Sequence, residues 1–338
     1  MEFSRSARIA SRLVALESAG STNDELMLKA TGADAAGWPD LSVIVTGDQT
    51  GGRGRLGRVW VAPAGKSLAI SVLLRTSGGA TEVGAGGGGT GGDANVHPLP
   101  HPLPHPLPHP LPHSHPQQHS HPLPLDALGW VPLLAGLAMT RAVASFVPQP
   151  DTVSLKWPND VLIRGRKVCG ILCELLPGAT GVIVGAGLNL TLNERDLPTS
   201  TSTSLLLEGA ESASADEVLA AYLRELAALA EAFRQAGGDA TVPQAESARS
   251  GGDATVPQAE SARSGGDAPT TPTAVATALR DAVVARCGTI GQAVRVELPD
   301  GSRLTGTATG IDDAGRLIVA TETSLEAVAA GDITHLRY

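Results

Sequence analysis

Arginines alternate with glycines in one short loop of this 338-residue chain. Arg53, Arg55 and Arg58 lie within six residues of one another. Glycine lets a backbone approach a ligand closely, and guanidinium groups match the oxygens of carboxylates and phosphates. The loop therefore predicts an anion-binding site, with a solvated arginine-rich loop as the alternative. Its glycines also satisfy the GxGxxG spacing of dinucleotide-binding folds, but Pro63 and Gly65 follow where that motif requires a helix.

Two lysines mark a second candidate cluster. The chain has 21 arginines but only four lysines, so the closeness of Lys156 and Lys167 favours a role for a compact ammonium group. Lys156 opens the run Lys-Trp-Pro-Asn-Asp, which suits a tight turn. The alternative is a plain hairpin in which Asn159 and Asp160 take the turn positions and both lysines are solvated.

Composition disfavours several other kinds of chemistry. The net charge is −9, which argues against nucleic-acid binding through a generally basic surface. Eight of the nine histidines lie between His97 and His121, which leaves His335 for a folded core and disfavours a histidine triad or a zinc-bound water. Three cysteines, no apolar segment at the start and no apolar run near ~20 residues predict a reduced, cytoplasmic protein without a membrane span.

Short strands and helices must position these clusters. Hydroxyl and amide groups at Ser21, Thr22 and Asn23 are typical helix caps and precede a helix predicted at 24–30. Hydrophobic periodicity predicts strands at 13–19, 41–46, 67–75, 153–157, 161–163, 167–176 and 182–192, and helices at 125–147 and 215–235. This alternation predicts an α+β fold. Alternating residues over 294–321 predict a small β-barrel at the end of the chain.

Two low-complexity tracts divide the chain. The first contains four consecutive copies of His-Pro-Leu-Pro, which we interpret as an unstructured spacer, with a metal-sequestering segment as the alternative. The second repeats a polar 14-residue unit, which indicates a linker. The predicted organisation is a domain at 8–235 with an insertion at 77–124, a linker at 236–272, and a helix with a small β-barrel at 273–338.

In chain order, the candidate motifs resemble those of biotin protein ligases, in the form that lacks an N-terminal DNA-binding domain. The matching residues are Ser21-Thr22-Asn23; Gln49 with the run 52–58 and Trp60; Lys156 to Asp160; Lys167 with Gly170-Ile171-Leu172; and Gly187 with Asn189. The resemblance implies a mixed-sheet catalytic domain of the biotin/lipoate ligase type and a C-terminal SH3-like β-barrel.

The resemblance also implies a reaction. Such a ligase joins biotin and ATP into biotinyl-5'-AMP and then transfers biotin to a lysine of a carrier protein, such as the biotin carboxyl carrier subunit of acetyl-CoA carboxylase. ATP, biotin and Mg²⁺ are the expected small molecules. A carboxylate and a triphosphate repel each other, so cations are needed to bring them together. Nucleic acid and membrane are not expected partners, and both monomer and homodimer stay open.

Roles follow from the resemblance, position by position. It implies that biotin or its adenylate contacts Ser21, Thr22, Asn23, Gln49, Arg53, Gly54, Arg55 and Lys167. It implies an ATP side formed by Arg55, Arg58, Trp60, Lys156, Asn159 and Asn189. Arg53, Lys167 and Asp160 are the catalytic candidates, and no protein metal-ligand set is expected. Either Asp160 or the phosphate of the adenylate is expected to take the proton of the acceptor lysine.

The sequence disfavours three alternative functions. A lipoate-protein ligase shares the catalytic fold and the adenylation chemistry, but the arginine loop and the Lys-Trp-Pro-Asn-Asp run are those of the biotin branch. A biotin-responsive transcriptional regulator is disfavoured because the first predicted strand begins about 12 residues from the start. A carrier that itself receives biotin presents a Met-Lys-Met hairpin, and none of the three methionines flanks a lysine.

Overall fold

The computed structural model of the protein describes residues 1–76, 125–236 and 272–336. The predicted insertion at 77–124 lies outside these residues, as does nearly all of the predicted linker at 236–272. Spacer, metal-sequestering segment and linker therefore all stay predictions.

A mixed β-sheet forms the centre of the larger part of the chain. The strands in this part are β1 (Arg12–Leu16), β2 (Ser42–Thr46), β3 (Gly52–Arg53), β4 (Val59–Trp60), β5 (Ser67–Arg75), β6 (Val153–Lys156), β7 (Asp160–Ile163), β8 (Arg166–Leu175) and β9 (Gly181–Asn189). Seven of them form one sheet in the order β1-β2-β5-β9-β8-β7-β6. β1 and β2 are parallel and the other neighbours are antiparallel, whereas β3 and β4 pair as a separate hairpin.

Different helices cover the two faces of this sheet. They are α1 (Thr22–Thr31), α2 (Val131–Ala144) and α3 (Ala215–Gln235). Along β5, Ile70 and Val72 join the large core that contains α2 and α3, whereas Leu73 joins the smaller core under α1. Since side chains alternate along a strand, Ser71 shares the α1 face with Leu73. The α1 face is therefore the one that carries a polar side chain in the middle of an apolar strand.

The central helix α2 is the most apolar of the α-helices in the described residues. Residues Ala127–Ala144 are long and apolar enough to cross a membrane, but 72% of this stretch is buried within the protein, and α2 packs on α3 and β6. This burial is typical of the core helix of a soluble protein. The predicted helix at 125–147 begins as a 3-10 turn, Leu125–Trp130, and turns α-helical where Pro132 occupies a first-turn position.

Two predicted boundaries near the start of the chain are wrong. β1 ends at Leu16, and Ala19 instead forms an isolated bridge with Gln49. The first helix begins before residue 24 because the Ser21 Oγ accepts a hydrogen bond from the Asp24 N–H at 3.3 Å and so acts as the N-cap. The strand at 67–75 and the helix at 215–235 are confirmed with the predicted bounds.

A smaller, all-antiparallel sheet ends the chain. It follows α4 (Pro272–Arg286), and its strands are β10 (Ala293–Glu297), β11 (Arg303–Ile311), β12 (Leu317–Ala320), β13 (Leu325–Val328) and β14 (Asp332–His335). Their order is β13-β12-β11-β10-β14. The predicted small β-domain is confirmed, and its closure into an SH3-like barrel stays a prediction. α4 packs against α2 and α3 of the larger part.

Two tryptophans join the small sheet to the larger part. The Trp130 Nε1 donates to the Asp313 carbonyl at 2.7 Å, and the Trp157 Nε1 donates to the Gly315 carbonyl at 3.1 Å. The backbone N–H of Trp157 also donates to the Thr289 hydroxyl at 3.1 Å. The turn between β11 and β12 is thereby fixed beside the Lys-Trp-Pro-Asn-Asp run.

Candidate functional site

A cleft of about 400 Å³ lies beside the N-terminus of α1, between the β3–β4 hairpin and β8. It brings together nearly all of the predicted site residues, namely Ser21, Thr22, Asn23, Gln49, Arg53, Gly54, Arg55, Arg58, Trp60, Asn159, Asp160, Lys167 and Asn189. Lys156 is the exception. Segments far apart in sequence thus form one site, although contact with a ligand stays a prediction for each residue.

The N-terminus of α1 forms one end of the cleft. The backbone N–H and the hydroxyl of Thr22 both donate to the Gln49 Oε1, at 2.8 and 3.1 Å. These bonds fix the orientation of the Gln49 amide. Gly52 packs against that amide, and a Cβ there would lie 2.6 Å from the Gln49 Nε2. Position 52 therefore requires glycine, because the Gln49 amide lies too close to the backbone there for a Cβ.

Ser71 and Glu174 contact residues that line this end of the cleft, and no sequence motif predicts either of them. The Ser71 Oγ lies 2.6 Å from the Asn23 Oδ1 and 2.8 Å from the Thr22 Oγ1. The Asn23 Nδ2 donates to Glu174 at 2.5 Å. A signal was present for Ser71, since it is the lone polar residue between Ile70 and Val72 in a buried strand.

The arginine loop is a short hairpin closed by a 3-10 turn at Arg55–Gly57. Arg53 extends to the Asp24 carboxylate at 2.5 Å and to Glu174 at 3.1 Å. Arg55 donates to the Asn159 Oδ1 at 3.3 Å. The loop is thus held at both of its sides.

Trp60, at the end of the hairpin, covers the floor of the cleft. A Cβ on Gly187 of β9 would lie 2.9 Å from the Trp60 ring, so the indole stacks directly on the backbone there. The small residues predicted near the end of this strand are therefore explained by close packing of an aromatic side chain.

The second cluster forms the opposite end. Lys167 and Asp160 form an ion pair at 2.5 Å. Asn159 is fixed to β8 by two hydrogen bonds to Ile171. The Asn159 Nδ2 donates to the Ile171 backbone carbonyl at 2.6 Å, and the Asn159 backbone carbonyl accepts from the Ile171 N–H at 2.8 Å. A Cβ on Gly170 would lie 3.0 Å from the Lys167 Nζ, so this glycine makes room for the ammonium group.

Lys156 does not line the cleft. It lies on β6, the edge strand of the sheet, and pairs in register with Asp160 of β7. Burial lowers the pKa of the Lys156 ammonium group; Asp160 opposes this shift, and repulsion from Lys167 and Arg58 adds to it. The structure therefore brings Lys156 near the predicted ATP residues without exposing it to the cleft.

Asn189 lines the cleft, and its side-chain amide anchors the segment around Thr203. Its Nδ2 donates to the Thr203 carbonyl at 2.9 Å, and the Thr203 N–H donates to the Lys167 carbonyl at 2.8 Å. The following segment is anchored by the buried Glu208, which accepts from the Thr203 hydroxyl at 2.7 Å and from Arg166 at 2.6 Å. The same segment adds a wall that the sequence analysis missed, formed by Pro198, Thr199, Thr201 and Ser202.

The cleft is strongly cationic in a chain of net negative charge. Arg53, Arg55, Arg58 and Lys167 line it, and Asp160 is the one carboxylate among the residues that do. Burial lowers the pKa of the Arg55 guanidinium, Asp160 opposes that shift, and Arg58 adds to it. An anionic ligand would relieve this repulsion. Within residues 1–76, 125–236 and 272–336, three or more His, Cys, Asp or Glu side chains nowhere form a metal-binding group.

Family models match both parts of the chain. Residues 17–83 and 115–189 match the Biotin/lipoate A/B protein ligase family, and residues 289–336 match the Biotin protein ligase C terminal domain. The second match coincides with the small antiparallel sheet.

Individual proteins are also similar. The biotin–acetyl-CoA-carboxylase ligase of Mycobacterium tuberculosis is 32% identical over 94% of this chain and 86% of that protein. The protein of the same name from Paracoccus denitrificans is 30% identical over 50% of this chain and 51% of that protein. Among solved structures, the biotin protein ligase from Aquifex aeolicus in complex with biotin and ATP superposes with a TM-score of 0.59 at 20% identity, covering 97% of this chain and 100% of that one. This last likeness is one of fold.

Proposed function

This chain belongs to the biotin protein ligase family, and we propose that it joins biotin to ATP and transfers the biotinyl group to a lysine of a carrier protein. The relative from Mycobacterium tuberculosis, matched over most of both chains, supports this activity. The observation that carries the proposal is the cleft itself. The uncharged side chains of Thr22, Asn23 and Gln49 form one end, called here the uncharged end, and Arg55, Arg58 and Lys167 form the cationic end of the same substrate-sized space.

The uncharged end suits the ring of biotin. A ureido group is neutral and has both donors and acceptors, so amide and hydroxyl side chains are its natural partners. Gln49 supports this assignment, because its Oε1 is held by Thr22 while its amide nitrogen lies beside the loop. The floor of small residues under Trp60 suits the apolar remainder of the molecule.

The cationic end suits the phosphates of ATP. In the proposed first step, a carboxylate oxygen of biotin forms a bond to the α-phosphorus, the bond to the bridging oxygen breaks, and pyrophosphate leaves. Lys167 and Arg55 stabilise the negative charge that builds up on the phosphoryl oxygens. The hairpin that carries Arg55 then shields the mixed anhydride from water.

Mg²⁺ bound with ATP would neutralise phosphate charge. The residues present fit this ion, because Mg²⁺ in nucleotide sites is held by one or two carboxylates together with the substrate phosphates. Asp160 is the carboxylate that lines the cleft, and we propose it as the protein ligand.

In the proposed second step, the amine of the acceptor lysine bonds to the biotinyl carbonyl carbon and AMP leaves with the bridging oxygen. The amine must lose a proton. Asp160 is held in an ion pair with Lys167 at 2.5 Å, which favours the adenylate phosphate as the proton acceptor. We expect Asp160→Asn to slow adenylate formation about tenfold or more and to change transfer from preformed adenylate less than threefold. A large loss in the transfer step would instead identify Asp160 as the base.

The proposed partner is the biotin carboxyl carrier subunit of acetyl-CoA carboxylase, in the cytoplasm. Lipoate ligation is the second candidate, and the names of the matched relatives favour biotin. Partnership with nucleic acid or membrane is not proposed, and sedimentation of the purified chain would decide between monomer and homodimer.

Exchange of labelled pyrophosphate into ATP tests the proposal. We expect exchange that depends on biotin, and labelling of a carrier domain when that domain is added. Exchange that occurs with lipoate but not with biotin would identify lipoate as the substrate. The absence of exchange with either acid would overturn the proposed function.

A further inference from the structure

Glu174 is an acidic residue at the end of β8 that no sequence motif marked. One carboxylate oxygen accepts from the Asn23 Nδ2 at 2.5 Å, and the other accepts from Arg53 at 3.1 Å. Its side chain is 31% exposed, and both of its partners line the cleft. A single carboxylate therefore contacts both the N-terminus of α1 and the arginine loop.

The contact with Asn23 is the shortest of the hydrogen bonds that orient its amide group. The Asn23 Nδ2 donates to Glu174 and to the Leu172 carbonyl, the second bond being 3.3 Å long, and the Asn23 Oδ1 faces the Ser71 hydroxyl at 2.6 Å. Both donors of the amide are used, and its oxygen has a partner. The same hydrogen bonds continue through Thr22 to Gln49.

The contact with Arg53 fixes the loop. Arg53 belongs to β3, in the hairpin that covers the cleft, and its guanidinium also pairs with Asp24 in the first turn of α1. Asp24 is 59% exposed and Glu174 is 31% exposed, so the pair with Glu174 is the better shielded from solvent. Hydrogen bonds to charged groups are also stronger than neutral ones.

We propose that Glu174 is a positioning residue that couples the arginine loop to the Asn23 amide, because one carboxylate stabilises both the closed loop and the orientation of the amide. This inference rests on the proposed ligase function. Without Glu174 the loop opens more readily and the amide turns, which weakens retention of biotin and of its adenylate. Lys167 and Asp160, at the other end of the cleft, keep their arrangement.

Glu174→Gln tests the coupling, because it keeps the shape of the side chain and removes its charge. Glu225→Gln is the matched control, since Glu225 pairs with Arg141 at the same 3.1 Å and is 37% exposed. In pyrophosphate exchange we expect Glu174→Gln to raise the KM for biotin about tenfold and to leave the KM for ATP and kcat within about twofold. Dissociation of biotinyl-AMP is expected to become about tenfold faster, and the control is expected to match the wild type.

Limited trypsin digestion gives a second readout that does not depend on turnover. Trypsin cuts after arginine, so the rate of cleavage within 51–58, located by mass spectrometry, reports opening of the loop. With biotin and ATP bound, we expect Glu174→Gln to be cut there about fivefold faster than the wild type and the Glu225→Gln control.

The double variant Glu174→Gln with Arg53→Gln tests whether the effect passes through the loop. We expect its biotin KM to be less than the product of the two single effects, since both variants break one coupling. Purely multiplicative effects, or an unchanged biotin KM and cleavage rate in Glu174→Gln, overturn the proposal. If Glu174→Gln lowers the Tm by more than the control does, Glu174→Asp is measured in its place. Its shorter side chain keeps the charge but is expected not to reach both Asn23 and Arg53. An unchanged KM for biotin in Glu174→Asp would also overturn the proposal. A wild type without exchange would contradict the ligase function rather than this coupling.

Discussion

The two ends of the cleft are built in opposite ways. At the α1 end, Thr22, Asn23 and Ser71 satisfy one another's hydrogen bonds before any ligand arrives. At the other end, Arg55 and Lys167 are crowded with Arg58, and burial lowers the pKa of Arg55. At the α1 end, the polar side chains already have hydrogen-bond partners in the protein without a ligand. The other end has more positive than negative side chains.

This difference matches two kinds of ligand. A neutral ligand offers only hydrogen bonds, so its site gains most from side chains that are already oriented. A polyanion brings negative charges to the cationic end, and its binding reduces the repulsion between the cationic side chains there. Variants at the cationic end should therefore change catalysis, and variants at the uncharged end should change biotin affinity.

The largest expected effect is at the cationic end. Lys167→Ala removes the ammonium group that pairs with Asp160 and lines the cleft. We expect kcat/KM for adenylate formation in pyrophosphate exchange to fall about 1000-fold, as for loss of a main charge-stabilising group. Biotin affinity measured by calorimetry without ATP should fall much less, about tenfold.

Lys29→Ala provides the control for Lys167→Ala. Lys29 is an exposed lysine in the last turn of α1, away from the cleft, so exchange should equal that of the wild type. A loss below tenfold in Lys167→Ala, or equal losses in catalysis and in biotin affinity, would remove the distinction between the two ends.

A smaller effect is expected at the uncharged end. Ser71→Ala removes the buried hydroxyl that faces both Asn23 and Thr22. Leaving a buried polar group without its partner costs about 1–3 kcal/mol, so we expect the KM for biotin in pyrophosphate exchange to rise about tenfold while kcat stays within about twofold.

Ser42→Ala is matched to Ser71→Ala, because Ser42 is equally buried in the neighbouring strand and its hydroxyl donates to the Pro39 carbonyl. It should cost stability without changing the KM for biotin. If both variants changed that KM alike, the effect of Ser71 would be one of general packing.

Site residues could be predicted where residue type and sequence spacing alone indicate a function. The arginine loop and Lys167 are predicted in this way, whereas Gln49 is predicted only from the family resemblance, and the structure brings all of them into one cleft. The strand at 67–75 could be predicted because nearly all its residues are buried on both faces, which leaves a continuous apolar run.

The polar type of Ser71 is visible in the sequence, but the roles of Ser71 and Glu174 could not be predicted, because they depend on which elements are neighbours. Ser71 reaches Thr22 and Asn23 only because α1 packs on β5, and Glu174 reaches Arg53 only because β8 lies on the far side of β9. Lys156 illustrates the reverse problem. It adjoins Asn159 and Asp160 in sequence, but the turn after it sends those two residues to the cleft and leaves Lys156 on the edge strand.

The smallest predicted effect concerns Lys156, which lies near the cationic end without lining the cleft. The folded-state pKa of Lys156 lies below its ordinary value chiefly because of burial; attraction to Asp160 opposes this shift, and repulsion from Lys167 and Arg58 adds to it. A lysine whose folded pKa is lowered costs stability while it is charged, and that cost disappears as the pH rises from the folded pKa towards the unfolded value of about 10.4.

Lys156→Met keeps most of the side-chain volume and removes the charge. We expect its Tm at pH 7 to exceed that of the wild type by roughly 1–3 °C, and the gap to narrow as the pH is raised towards 10, because the wild-type lysine then becomes neutral in the folded state. Lys29→Met, a substitution of an exposed lysine, is the control, and its Tm is measured over the same pH range. A Lys156→Met variant that is less stable at every pH would mean that the attraction between Lys156 and Asp160 outweighs the cost of burying the ammonium group beside the cationic end.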